Sequence, residues 1–400
     1  MSRILDLQIV NGGQTTASLF HTRKRDGADL SRVFVQVKLS VVDADRSETV
    51  VPRISEYANT QNRVSAADFF SNHPFHVRME GFSRRIWAPT AGQSTRETKW
   101  FYERTRGQYA DAQSKLTAAE RRRFTAEYPK AQMFTKTDLA KFENVWDDAP
   151  HWVSLGAQKN FAHYAQRIGA EWERSQDGFN EFYYKWVIAR AIVFRSTERL
   201  VSAQPWYNGG YRANIVAYAL AMLGEVARRR KQKIDFIAVW AAQATDSVLG
   251  GAITTAAALV NEEIMSPPTG ISNISEWCKK EACWQKLVAA RVPQLEQSLP
   301  AGFFDLLVTQ EDHAVVLRDA KKTQQIDDGI DAQRKVLAIP ASDWARIQKA
   351  LAANGWLTSK EDGVLKIAMQ IPSKLPTERQ SKILLQLIDK ARLEGVTLRK

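Results

Sequence analysis

Two glycines in a short polar turn near the start of the chain form its most site-like feature. The turn lies in LQIVNGGQTTASLF, between an apolar run that ends at Val10 and the first residues of a predicted helix. Gly12 and Gly13 permit backbone conformations that are closed to other residues. Free backbone N–H groups at such a helix start bind anions. The turn therefore predicts a phosphate site made by five residues, which are Asn11, Gly12, Gly13, Gln14 and Thr15.

This turn does not complete either of the common phosphate-binding motifs. No Lys-Ser/Thr pair follows the glycines, and the third glycine of a dinucleotide fingerprint is missing. An ordinary strand-to-helix turn capped by Asn11 is the alternative. A second amide-rich stretch, ANTQN, favours binding, because turns at matching ends of neighbouring crossover units line one crevice. In that crevice Asn59, Gln61 and Asn62 would contact a base or a sugar.

Basic residues alternate with aromatic residues between positions 84 and 109. The chain has a net charge of +12, which favours an anionic partner. Proteins that bind single-stranded nucleic acid use cations for phosphates and flat rings for bases, so Lys99, Arg104 and Arg106 would supply countercharge. In the alternative, the aromatic run 100–102 packs in a core while the arginines form ion pairs. Two further dense basic clusters occupy residues 121–123 and 228–233.

Other chemistries are less well supported by the residues. Lys38 in VQVKL resembles the Gln-x-Lys of restriction-type nuclease cores, but Asp6 is the only nearby acidic candidate for the metal that such hydrolysis needs. No Gly-x-Ser-x-Gly elbow is present. Cys278 and Cys283 are too few for a structural zinc site, and on one helix they would point about 140° apart, which favours buried, unbonded thiols. We predict no metal site, and neither a cofactor nor a catalytic residue is identified.

The elements that must position these residues change in character along the chain. The first ninety residues read as strand, helix and strand, with the second strand over the alternating segment 32–42. Beyond Gly92 helices dominate, and Thr135 with Asp138 predicts a capping box. The predicted helices are 97–116, 117–129, 135–146, 157–173, 178–200, 212–233, 235–246, 275–290 and 294–307. The predicted fold class is α+β or mainly α, with a small N-terminal α/β module followed by a predominantly helical body.

Composition shifts along the chain predict three domains. These are an α/β module over 1–92, taken as the C-terminal part of a larger N-terminal domain, a helical domain over 93–310 and a small helical domain over 336–400. The polar stretch 316–335 between the last two is a linker or an exposed helix. The chain shows no signal peptide, and its longest weakly polar run, 248–260, is too short to span a membrane. We therefore predict a cytoplasmic protein without a membrane partner.

Seven stretches, in this order, resemble the AIPR family, named for abortive infection phage resistance. They are IVNGGQTTASL, ANTQNRVSAADF, KWFYERTRGQY, YPKAQMFTKTDLAKFENVW, VSLGAQKNF, WYNGGYRANIVAYALA and WCKKEACW. The resemblance runs from about residue 4 to at least residue 285, and it implies a cytoplasmic antiphage-defence protein with defence-system proteins as partners. It supplies no settled catalytic mechanism. Family members have a further N-terminal region, so the resemblance also implies that this chain is a truncated form.

The layout of the first turn is also similar to that of the ParB/sulfiredoxin-like group, in which the turn holds nucleotide phosphates. Asn11 stands where that group has an aspartate, an extra glycine intrudes, and Thr15 and Thr16 replace His-Arg. Loss of the cationic arginine weakens phosphate affinity. This second resemblance implies binding of a nucleotide without hydrolysis.

Together these features predict an antiphage-defence protein that recognises nucleic acid or a nucleotide through its strand-turn-helix phosphate site. Two alternatives stay open. One is a non-enzymatic sensor or protein-interaction subunit of a defence system. The other is a metal-dependent nuclease whose acidic ligands lie in an N-terminal region that this chain lacks. Whether the protein is an enzyme is left open by the sequence.

Overall fold

The computed structural model describes residues 27–42, 73–92 and 96–393, together with the single positions 16, 19, 20, 22–24, 50 and 54. The chain forms two compact units, Met1–His73 and Pro74–Lys400. Each unit is described by itself below. The three predicted domains and their boundaries stay predictions.

In the first unit, the predicted strand over residues 32–42 is not formed. Residues 33–42 carry no strand pairing, and Phe34, Val37 and Val41 are 91%, 77% and 82% exposed. Alternating apolar residues produce a strand only when a neighbouring strand takes up the backbone hydrogen bonds and a layer covers the apolar face. Neither occurs at this segment, so the alternation of apolar residues was not enough to predict a strand.

The second unit is built mainly from helices, which confirms the predicted helical body. Its helices are α1 (Pro74–Arg85), α2 (Gln108–Ser114), α3 (Ala118–Glu127), α4 (Lys136–Asn144), α5 (Pro150–Ser154), α6 (Ala157–Arg174), α7 (Glu181–Ser202), α8 (Arg212–Arg229), α9 (Phe236–Ala242), α10 (Ser247–Ile264), α11 (Ile274–Trp277), α12 (Glu281–Ala290), α13 (Val292–Ser298), α14 (Gln310–Leu337), α15 (Ala341–Ala353), α16 (Ser359–Ala368) and α17 (Glu378–Leu393). Its short strands are β1 (Phe101–Glu103), β2 (Met133–Thr135), β3 (Gln232–Ile234) and β4 (Leu307–Thr309).

Helices α7 and α8 form the centre of this unit. Residues 215–223 of α8 are all at most 1% exposed. A helix that is apolar on every side must be covered on every side, and α8 packs against α5, α7 and α10. The small residues of α10 suit this close packing, and Asp246 caps its start by accepting a hydrogen bond from the Leu249 amide at 2.7 Å. Helix α10 was not among the predicted helices.

The predicted helix over residues 97–116 is wrong. Its first part is strand β1, which pairs in parallel with β2 so that Phe101 lies opposite Met133, and only α2 remains helical. Trp100, Phe101 and Tyr102 are 5%, 2% and 0% exposed. Consecutive buried side chains suit a strand covered on both faces, whereas an amphipathic helix would expose one of them.

Several predicted helices end earlier than their apolar pattern suggests. Helix α8 stops at Arg229, and β3 pairs antiparallel with β4 beyond it. The predicted helix 275–290 is divided into α11 and α12, so the two cysteines do not share one helix. Both thiols are nevertheless free and buried, as predicted. The stretch 316–335 lies inside the continuous helix α14, which is the exposed-helix alternative.

The last helices close a second hydrophobic cluster. Trp344, Ile347 and Leu351 of α15 are fully buried there, and α16 and α17 add Leu365 and Leu384. Val336, near the end of α14, belongs to the same cluster. Helix α14 therefore runs from the central helices into this C-terminal cluster.

Among the helices that the structure describes, none is long and apolar enough to span a membrane by itself. Helices α9 and α10 together reach that length and apolarity, but the pair is bent by 119° between them.

Candidate nucleic-acid interface

The predicted phosphate site lies outside the described residues. This holds for the five residues of the first turn and for the three amide side chains of the second, which are Asn11, Gly12, Gly13, Gln14, Thr15, Asn59, Gln61 and Asn62. Lys99, Arg104 and Arg106, the predicted countercharges, are described. They lie around β1 in the second unit.

An aromatic cluster holds β1 against the helices that follow it. The Phe101 ring meets the rings of Tyr109, Phe124 and Tyr128 at centroid distances of 5.0, 5.9 and 5.5 Å. The Tyr109 hydroxyl donates to the Tyr128 carbonyl oxygen at 2.7 Å. The rings of Phe101 and its partners thus pack against one another. For residues 100–102 the structure shows the alternative given above, in which the aromatic run packs in a core.

Glu80 on α1 links this cluster to two arginines. Its carboxylate accepts a hydrogen bond from the Arg104 Nε at 2.8 Å and lies 3.6 Å from the Arg84 guanidinium. Arg84 also stacks over the Phe101 ring at 3.6 Å and donates to the Tyr102 carbonyl oxygen at 3.1 Å. Arg104 is therefore held as a structural cation beside β1.

Lys99 is held in a similar way. Its Nζ is 2.8 Å from a Glu127 carboxylate oxygen and 4.1 Å from the centroid of the Trp87 ring. The centroid of the Tyr128 ring lies 5.7 Å from the same Nζ, and burial raises the pKa of Tyr128 to about 12, so this neighbour is neutral. One carboxylate thus already neutralises Lys99.

Arg106 occupies an exposed loop that Glu103 fixes. The two oxygens of the Glu103 carboxylate accept hydrogen bonds from the Gly107 and Tyr109 amides at 3.0 and 3.1 Å. Gly107 has φ 92°, a conformation that favours glycine. The loop therefore presents the Arg106 side chain to solvent from a rigid base.

Further exposed cations lie on the helices after this loop. We define the exposed basic cluster as Arg106, Lys115, Arg121, Arg122, Arg123 and Lys130, all of which are exposed. The ion pairs of this region use Glu80 and Glu127, and no cluster member is among their partners within the described chain. Helix α3 buries none of its residues, so its three arginines serve no core. The cluster is thus a set of exposed cations on the loop and helices that follow β1.

The second dense basic cluster behaves differently. Arg228 lies 2.9 Å from Glu225 and 3.2 Å from Asp148, and Arg229 lies 2.9 Å from Glu225. Arg230 lies 3.3 Å from a Glu296 carboxylate oxygen. Glu225 lies three and four positions before Arg228 and Arg229 on the same helix, so the sequence already suggests those two ion pairs. Asp148 and Glu296 are far away in the sequence, so no local pattern could have shown the ion pairs that they form.

No group of three or more His, Cys, Asp or Glu side chains that could hold a metal ion occurs in the described parts of the chain. Lys38, the residue of the nuclease alternative, is exposed, and Asp6 lies outside the described residues. The nuclease alternative therefore stays a prediction.

Comparison with known proteins gives one finding that bears on identity. A family model described as AIPR protein matches residues 1–268, which is more than half of the chain. The comparisons with curated proteins and with solved structures give no match.

Proposed function

This chain belongs to the AIPR family, whose members are named for abortive infection phage resistance, and we propose that it acts in antiphage defence by binding nucleic acid at the exposed basic cluster. Family membership indicates the defence role and makes defence-system partners plausible. The nucleic-acid partner and a cytoplasmic location are our proposal.

The observation that carries the proposal is that no member of the exposed basic cluster forms a close ion pair within the described chain, and of its three helical arginines only Arg123 interacts with a nearby carboxylate, that of Glu120 on the same helix. A cation without a close acidic partner can bind a phosphate directly and displace the counterions that surround the nucleic acid. A cation in an ion pair must first separate from its carboxylate, so it contributes less to binding. The three consecutive arginines of α3 face outward on different sides of a helix, which suits contacts to several phosphates. The aromatic rings of this region are buried, so they cannot stack on the bases of a nucleic acid. Contacts to phosphates do not distinguish one base from another, and we therefore expect binding with little sequence preference.

The phosphate site at Asn11, Gly12, Gly13, Gln14 and Thr15, with Asn59, Gln61 and Asn62 beside it, remains part of the proposal. It would bind a nucleotide or the end of a strand. Lys99 and Arg104 would then act mainly by orienting β1 and its loop, while Arg106 supplies countercharge directly.

The test replaces Arg121, Arg122 and Arg123 together by glutamine. The matched control replaces Lys349, Lys360 and Lys382, which are exposed on the C-terminal helices, and removes the same net charge. Fluorescence anisotropy of labelled single-stranded and duplex oligonucleotides is measured between 50 and 300 mM KCl. Each lost phosphate contact lowers the slope of log K against log salt by about 0.7–0.9, so we expect the arginine variant to lose roughly two units of slope.

The control variant should keep both the affinity and the slope of the unmodified protein. Equal weakening in the two variants would mean that only net charge matters. Unchanged binding in the arginine variant would contradict the proposal and favour the protein-interaction alternative.

A further inference from the structure

A cavity of about 530 Å³ lies between the end of α4, the helices α6, α7 and α8, and strand β3. Its size falls within the roughly 300–1,000 Å³ typical of small-molecule sites. It shares no residue with the exposed basic cluster. The residues that matter for its chemistry are Trp146, Arg167, Trp186, Arg190, Arg228 and Lys233.

Aromatic rings form one wall of the cavity. Trp186 and Trp146 each meet Phe236 edge to face, at centroid distances of 5.5 and 5.0 Å. Gly224 of α8 lies beside Trp146, where a Cβ would be 3.2 Å from the indole ring. The Trp146 Nε1 is buried and has no hydrogen-bond partner among the described residues. The Trp186 ring is already stacked on His313 at 4.3 Å and lies under the Arg190 and Lys233 cations, so Trp146 is the indole ring that this wall offers to a ligand.

Most of the cations around the cavity are neutralised by a carboxylate. Arg190 forms a buried ion pair with Glu143 at 2.7 Å, and Arg167 pairs with Asp147. Arg228 pairs with Asp148 and Glu225, as described above. Lys233 is the exception, since its ammonium group forms no close ion pair within the described chain and is attracted only at longer range by the Asp147 carboxylate, which lines the same cavity.

Lys233 is therefore a half-buried positive charge next to a second one. Its Nζ lies 5.2 Å from the centroid of the Trp186 ring. Burial and the nearby Arg190 lower the pKa of Lys233, and the Asp147 carboxylate only partly opposes this shift. His313 stacks on Trp186 with centroids 4.3 Å apart, and its Nε2 also lacks a partner within the described chain. An anion beside Lys233 would relieve this unfavourable charge.

We propose that the cavity binds a nucleotide, with a phosphate against Lys233 and the base against the Trp146 ring. A ligand with a planar ring and an anionic group matches both walls at once, because rings stack on tryptophan and phosphate pairs with a cation that has no close ion pair of its own. Free nucleotides and the terminal nucleotide of a strand share this chemistry. The inference goes beyond the exposed basic cluster and does not depend on it.

The experiment measures binding to the full-length protein by isothermal titration calorimetry. The ligands are a purine and a pyrimidine nucleoside monophosphate, the corresponding triphosphates, the nucleosides, inorganic phosphate and a 5′-phosphorylated dinucleotide. Lys233→Met keeps the aliphatic stem and removes the charge. Lys231→Met is the matched control, because Lys231 is an exposed lysine only two positions away.

We expect saturable nucleotide binding that Lys233→Met weakens at least tenfold and that Lys231→Met leaves unchanged. The nucleosides and inorganic phosphate should each bind at least tenfold more weakly than the nucleotide. Tighter binding of the dinucleotide would identify a strand end as the source, and tighter binding of a mononucleotide would identify a free nucleotide.

Three results would overturn the proposal: no saturable nucleotide binding, equal binding by Lys233→Met, or equal affinity for inorganic phosphate and nucleotide. The variant with glutamine at positions 121–123 separates this inference from binding at the exposed basic cluster, and Lys233→Met separates it from nucleotide binding at the predicted phosphate site around Asn11. The glutamine variant should keep mononucleotide binding even though it loses salt-dependent binding of long oligonucleotides.

Discussion

At the scale of single residues, the decisive difference among the cations of this protein is whether a carboxylate accompanies them. Arg228 and Arg230 look as basic in the sequence as Arg121 and Arg122, but the first two are tied to acidic side chains. Lys233 lies in the same sequence run as Arg228, and yet it faces the cavity without a close ion pair. Local sequence thus shows where cations are dense, and only the fold shows which of them are available to an anionic ligand.

His313, which stacks on Trp186, makes the stability of the protein depend on pH. Burial, Lys233 and Arg190 together lower its pKa to about 4, from about 6.5 in an unfolded chain. Since the unfolded state binds the proton more tightly, the stabilising contribution is complete above about pH 6.5 and is lost as the pH falls towards 4.

His313→Phe keeps the ring stacked on Trp186 and removes the proton-binding site. We expect the loss of unfolding free energy between pH 7 and pH 4.5 to be smaller in this variant by about 1–2 kcal/mol. Urea unfolding followed by circular dichroism at several pH values would measure it. Identical pH profiles for the variant and the unmodified protein would show that His313 does not carry this dependence.

At the scale of elements, helix starts were the best predicted features. The Thr135 side chain accepts a hydrogen bond from the Asp138 amide at 3.2 Å, and the Asp138 carboxylate accepts one from the Thr135 amide at 3.1 Å. This capping box depends on residues three positions apart, so the sequence contains all of its information. Strand β1 depends on pairing with β2 some thirty residues later, and no local pattern contains that partner. The cavity joins the end of α4 to β3 across a much longer stretch of sequence, from Asn144 to Gln232.

Thr135→Ala tests the capping box of α4. Loss of an N-cap side chain costs about 0.5–2 kcal/mol, and we expect a decrease of about 1 kcal/mol in the unfolding free energy. Thr125→Ala is the control, because Thr125 is an exposed threonine inside α3 whose hydroxyl donates only to the Arg121 carbonyl oxygen. Urea titrations of both variants would measure the difference. An equal effect of the two substitutions would exclude a special role for the cap.

At the scale of the whole second unit, helix α14 connects the central helices with the C-terminal cluster. Just past its middle, Asp328 lies 3.3 Å from Arg78, and Gln325 donates to the Asp177 carboxylate at 2.6 Å. In its last part, Gln333 donates to the Pro376 carbonyl oxygen at 2.8 Å, and Val336 is buried in the C-terminal cluster. Unfolding of the central helices or of the C-terminal cluster must therefore disturb α14, because the helix also makes contacts with the portion that stays folded.

Arg334→Pro tests whether α14 makes the two parts unfold together. Proline removes the hydrogen bond to residue 330 and clashes with its carbonyl group, at a cost of about 3 kcal/mol. The break falls between the contacts at Asp328 and Val336, so we expect the C-terminal cluster to unfold at lower urea concentration than the central helices. Circular dichroism and limited proteolysis would then show two transitions. Arg334→Ala, which keeps the helix, should unfold like the unmodified protein, and a single shared transition in the proline variant would show that coupling does not pass through α14.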